Sequence, residues 1–113
     1  MQVFDKEGAL DRVAGDKGFL FELFEIALED SKERIEKIKA AIDTNNFKEL
    51  AETAHALKSA MGNVGAMTCH AACFALERMG KSSDITNAKQ ELNNLFAQMD
   101  LFKIEIERFS KEA

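Results

Sequence analysis

No proline occurs anywhere in the 113 residues. Proline removes a backbone donor and clashes with the preceding helical turn, so its absence leaves long periodic runs free to stay helical. Such runs are present. From about Asp84 to Ser110, apolar residues fall at Ile85, Ala88, Leu92, Leu95, Met99, Phe102, Ile106 and Phe109. Steps of three and four repeat without a miss, which is the spacing of a helix packed in a bundle.

The rest of the chain divides in the same way. A short helix is predicted from about Asp5 to Ala14, with Ala9, Leu10 and Val13 on one face and Gly15 at its end. A long helix follows Asp16, an N-cap residue type, and runs to about Thr44. Thr44-Asn45-Asn46 reads as a turn, and Asn46 with Glu49 resembles a capping box. The third helix runs to about Met61, and Gly62-Asn63 suits its C-terminus. The fourth spans about Ala66 to Met79 and stops at Gly80, with Lys81-Ser82-Ser83 as a loop before the fifth. Four long helices joined by short loops alternate in direction. The expected fold is all-α: an antiparallel up-down-up-down four-helix bundle with a short N-terminal cap helix, one domain over residues 1–113.

Charge and cysteine usage narrow the setting. Lys plus Arg is 15 against 20 Asp plus Glu, a net charge of −5. An acidic chain lacks the basic face of a nucleic-acid binder, so no nucleic-acid partner is expected. Apolar runs are far shorter than the roughly 20 residues needed to span a bilayer, and the N-terminus carries no secretory pattern. Neither a membrane association nor export is expected. Cys69 and Cys73 lie on one helical stripe with Ala72 and Leu76, which reads as buried thiols in a reducing, cytoplasmic setting. His70 falls off that stripe, either solvated or at a groove edge, and no metal site is expected from these residues. The phenylalanines Phe19, Phe21, Phe24, Phe47, Phe74, Phe96, Phe102 and Phe109 are expected mostly in the core. Some of Phe4, Leu10, Val13 and Met61 are expected in an exposed docking patch near the candidate site.

That site lies on the third helix. On a helical wheel, Phe47, Leu50, Ala54, Leu57 and Met61 form the core stripe, and His55 sits roughly 120° from its centre. His55 therefore faces outward. Its neighbours at i−4, i+4 and i+7 are Ala51, Ser59 and Gly62, all small, and Lys58 stands at i+3. An accessible imidazole with a cation beside it lacks the convergent ligands of a metal site. It also lacks the nucleophile, base and orienting group of a hydrolase. What remains is the imidazole as nucleophile. An unperturbed histidine titrates near 6.5, so much of it is neutral at neutral pH, and phosphoryl transfer depends mainly on positioning and charge stabilisation.

The run from His55 to Ala66, HALKSAMGNVGA, closely resembles the signature of histidine-containing phosphotransfer (HPt) domains. The family pattern is His-x-Leu-Lys-Gly, then Gly shortly before the next helix. The resemblance extends over nearly the whole chain. It implies that His55 is phosphorylated on its outer ring nitrogen and that Lys58 helps balance the phosphoryl charge. Position 59, usually Gly, is Ser here, still small enough for access, with a hydroxyl able to bond the phosphoryl group or a partner backbone. Gly62 and Gly65 would serve close approach and the tight turn. Glu77 stands where some members carry a Gln that holds the imidazole, and would accept the inner N–H. The resemblance further implies that phosphate comes from the aspartate of one response-regulator receiver domain and passes to another. A hybrid sensor histidine kinase would lie upstream. Mg²⁺ would belong to the receiver, with no cofactor, ATP site or autokinase activity in this chain. A monomer is expected, since His55 must stay open. The alternative is a helical bundle that binds a receiver or kinase without accepting phosphate.

Overall fold

The computed structural model describes residues 1–112. Five helices follow in order: α1 (Lys6–Arg12), α2 (Lys17–Asp43), α3 (Phe47–Asn63), α4 (Met67–Ser82) and α5 (Ala88–Ser110). At about 1.5 Å per residue, the 27 residues of α2 extend roughly 40 Å, which accounts for most of the 46 Å long axis. The short connections 44–46, 64–66 and 83–87 return each helix beside its predecessor, and α5 packs back onto α2 to close the bundle.

Local chemistry explains the boundaries. The Asp5 carboxylate accepts from the Gly8 amide at 3.1 Å and starts α1, and Asp16 accepts from the Phe19 amide at 3.0 Å and starts α2. Asn46 caps α3 by accepting from the Glu49 amide at 3.1 Å. The predicted capping box is only half formed, because the Glu49 carboxylate turns along the helix to accept from the Thr53 hydroxyl at 3.2 Å. α3 continues to Asn63, two residues past the predicted end at Met61. The predicted stop at Gly80 is wrong: α4 runs through it and ends at Ser82, with Ser83 in the left-handed region at φ 56°. Nor does α5 begin at Asp84. That carboxylate accepts from the backbone and hydroxyl of Thr86, which holds a turn until Asn87.

The core is a continuous column that includes Leu20, Phe24, Ile38, Leu50, Leu57, Met61, Leu76, Leu95 and Phe102, all fully buried. Phe4 joins it. The amide of Asp5 donates to Gly65 O at 2.9 Å and that of Met67 to Val3 O at 2.9 Å, so the N-terminal segment pairs with the α3–α4 turn. This carries the Phe4 ring against Phe24, Phe102 and Phe109, with centroids 5.6, 5.8 and 5.6 Å away. Phe4 and Met61 are thus core residues, and Leu10 and Val13 are half-buried against it, so the expected exposed patch does not form. Conversely, Phe19, Phe74 and Phe96 are exposed rather than core. Phe74 lies next to the buried Cys73, Phe19 next to the buried Leu20 and Phe96 next to the buried Leu95. A helix turns about 100° per residue, so a core position directs its sequence neighbour away from the core. Cys69 and Cys73 are buried free thiols, and burial pushes both up to about 12.

Candidate functional site

α3 buries Leu50, Ala54, Leu57 and Met61, and this orientation turns His55 outward with its side chain 60% exposed. α4 supplies the opposite wall. It approaches α3 closely because Gly80 faces it. A β-carbon on Gly80 would lie 2.7 Å from Ala51 N and 2.8 Å from Phe47 O. The close approach lets Glu77, one turn before Gly80, reach across to His55. Glu77 Oε2 lies 2.8 Å from His55 Nδ1.

Glu77 is only 2% exposed, yet it is ionised. Burial pushes the carboxyl up, but hydrogen bonds from Lys58, His55 and Lys81 outweigh it and hold it at about 2 against a usual 4.5. Lys58 Nζ donates to Oε1 at 2.7 Å, and Lys81 Nζ lies 3.1 Å from Oε2. An ionised carboxylate only accepts, so in the neutral ring Nδ1 carries the proton and Nε2 holds the free lone pair. Nε2 has no hydrogen-bond partner among the described residues. The geometry therefore presents an oriented nitrogen nucleophile to solvent.

The other predicted residues fall into two groups. Ala51 lines the shallow recess beside the ring, together with Glu52, Glu77 and Lys81. Ser59 is exposed, and its hydroxyl donates to His55 O at 3.2 Å. Gly62 and Gly65 are small for reasons inside the molecule. A β-carbon on Gly62 would lie 3.0 Å from His70 Nδ1, the same nitrogen that lies 3.0 Å from Lys58 O. Gly65 has φ +77°, and a β-carbon there would lie 2.7 Å from Asp5 O. His70 is thus a half-buried strut between α3 and α4 at the groove edge.

Sequence reasoning missed Lys81, Gly80 and Phe74. A helix stop at Gly80 puts Lys81 in a loop, whereas in the unbroken helix its place four residues after Glu77 sets both on one face. The exposed Phe74 ring lies beneath Lys58 Nζ, 5.1 Å from centroid to nitrogen. Among the described residues no three His, Cys, Asp or Glu side chains converge to hold a metal, and no helix is long and apolar enough to cross a membrane.

The structure is similar to the crystal structure of histidine-containing phosphotransfer protein B (HptB) from Pseudomonas aeruginosa PAO1. The TM-score is 0.81, with 20% identity, over 94% of this chain and 92% of that one. At that identity the likeness concerns the fold. A search of curated proteins gave no match. The Hpt domain family model matches residues 22–111, which takes in all of α3, α4 and α5 and most of α2. With four-fifths of its length matched and an outward histidine in place, this chain belongs to the Hpt domain family, and its role is histidine phosphotransfer in phosphorelays.

Proposed function

We propose that His55 Nε2 accepts a phosphoryl group from the aspartyl phosphate of a response-regulator receiver domain and passes it to the aspartate of another. The observation that carries the reading is the 2.8 Å contact between the exposed imidazole and the buried, ionised Glu77. It directs the Nε2 lone pair outward. In the step, Nε2 attacks phosphorus, the aspartyl P–O bond breaks, and its electron pair stays with the receiver carboxylate. Nδ1 keeps its proton throughout, so no external base is needed at this chain.

Lys58 supports the ring through Glu77, and Ala51 and Ser59 keep the approach to Nε2 open. Mg²⁺ and the acidic residues that bind it belong to the receiver. The chain acts as a phosphocarrier without ATP or autokinase chemistry, as a monomer in the cytoplasm, downstream of a hybrid sensor kinase.

The test is incubation with a phosphorylated receiver domain and Mg²⁺, followed by assay for acid-labile, alkali-stable phosphate. Wild type acquires label and His55→Gln does not. Label on His55→Gln refutes the site assignment. A wild type that binds receivers and takes no label supports the binding-only module instead.

A further inference from the structure

Lys58 and Lys81 both reach Glu77, but they are held differently. Lys58 is 19% exposed, donates at 2.7 Å to Oε1, and lies over the Phe74 ring. Lys81 is 67% exposed and lies 3.1 Å from Oε2, the oxygen that also faces His55 Nδ1. A buried carboxylate stripped of its shielded cation is left uncompensated, which is strongly unfavourable, whereas a solvent-exposed ammonium leaves at little cost so long as the carboxylate keeps another cation.

The charges then follow the chemistry. Before transfer, Glu77 faces two ammonium groups and a neutral ring. When the Nε2–P bond forms and the aspartyl P–O bond breaks, the ring keeps its Nδ1 proton and becomes an imidazolium. Its positive charge lies against Oε2. Glu77 then has Lys58 on one oxygen and the cationic ring on the other, and Lys81 is surplus. The new phosphoryl group carries about two negative charges on the open side of the ring.

We propose that Lys81, rather than Lys58, is the cation that binds the phosphoryl group of phosphorylated His55, leaving Glu77 when the ring becomes charged. When the phosphoryl group departs, the ring becomes neutral and Lys81 returns to Oε2. Glu52, which lines the same recess, has Lys48 of its own helix 4.0 Å away, and its carboxylate is not paired with Lys81. This inference rests on His55 being the phosphoacceptor.

Phosphoramidate, a small phosphoryl donor, removes receiver docking from the test. In the full chain, Lys81→Gln is expected to lower the rate of His55 phosphorylation by phosphoramidate roughly threefold or more, with a smaller fall in melting temperature than Lys58→Gln causes. The wild-type rate falls as salt rises, Lys81→Gln loses most of that dependence, and Lys81→Arg restores both. Lys58→Gln lowers the melting temperature more, because it strips the buried carboxylate. A Lys81→Gln protein that matches wild type in rate and salt dependence overturns the assignment while leaving His55 as acceptor. Absence of His55-dependent label on wild type overturns the acceptor reading itself, and the assignment with it.

Discussion

Gly80 of α4 packs so closely on Ala51 of α3 that its missing β-carbon would stand 2.7 Å from the Ala51 amide nitrogen. Two backbones meet there, one turn from the hydrogen bond between Glu77 and His55. The narrow gap is what lets a side chain as short as glutamate span from one helix to the other. Gly80→Ala should improve intrinsic helix propensity by about 1 kcal/mol yet destabilise the protein by roughly 1–3 kcal/mol, because the helices must separate. Urea denaturation measures the loss. Phosphorylation of His55 should slow in parallel, and unchanged stability would show that the contact is slack.

The tautomer of His55 depends on Glu77. In Glu77→Ala the ring loses its fixed acceptor, and the Nε2–H form becomes populated. Nitrogen-15 shifts of the imidazole should move from the pattern of a single Nδ1–H tautomer toward a mixture. The phosphorylation rate should fall by about tenfold, in the range seen for loss of a partner that orients a histidine. Glu77→Gln, whose amide oxygen still accepts, should retain more of the rate than the alanine variant.

Acid should uncouple the same group. The Glu77 carboxyl is held at about 2 in the folded protein against a usual 4.5. Between those values the unfolded chain binds the proton and the folded one does not, so acid favours unfolding. The stabilisation is complete above about pH 4.5 and is lost as pH falls through 2. With the exposure of His55 and Lys81 taken into account, it amounts to roughly 1–2 kcal/mol. Unfolding free energies of wild type and Glu77→Gln, measured from pH 7 down to pH 2, should converge across this window. A constant difference would mean that the carboxylate is not what titrates.

Gly65→Ala tests the N-terminal clasp. At φ +77° an alanine is strained, and its methyl would press on Asp5 O. Residues 3–5 should detach and release Phe4 from Phe24, Phe102 and Phe109, at a cost of about 2–4 kcal/mol. Hydrogen exchange at the Asp5 and Met67 amides should rise. Transfer to His55, measured well below the melting temperature, should be nearly unaffected, because no residue of the clasp touches Glu77 or Lys81.

Much of this architecture is legible in the sequence, because apolar spacing reports the buried face of a helix directly. That spacing set Leu50, Leu57 and Met61 inward and His55 outward, and the small neighbours and Lys58 marked the histidine. The misreadings share a cause. Gly80 looks the same whether it ends a helix or admits a neighbouring backbone, and only the partner helix decides. Reading it as a stop moved Lys81 off the helix face it shares with Glu77. The burial of Phe4 depends on pairing with residues 65–67, far along the chain, which no local spacing reports. Phe19, Phe74 and Phe96 stand outside the core because hydrophobicity alone does not fix direction. Each follows or precedes a core position, and helical geometry admits only one of the two.

Every group around His55, from Ala51 to Lys81, comes from α3 and α4, joined by the three-residue turn 64–66. The proposed reactive centre is therefore a single helical hairpin, and closing one short loop brings its parts together. α2 and α5 act as a buttress that contributes no group to it. The exposed apolar side chains of that buttress, Ile26, Leu101 and Ile104 among them, can change through mutation without disturbing the chemistry. The proposed chemistry and the support that holds it are thus divided between two halves of one small bundle.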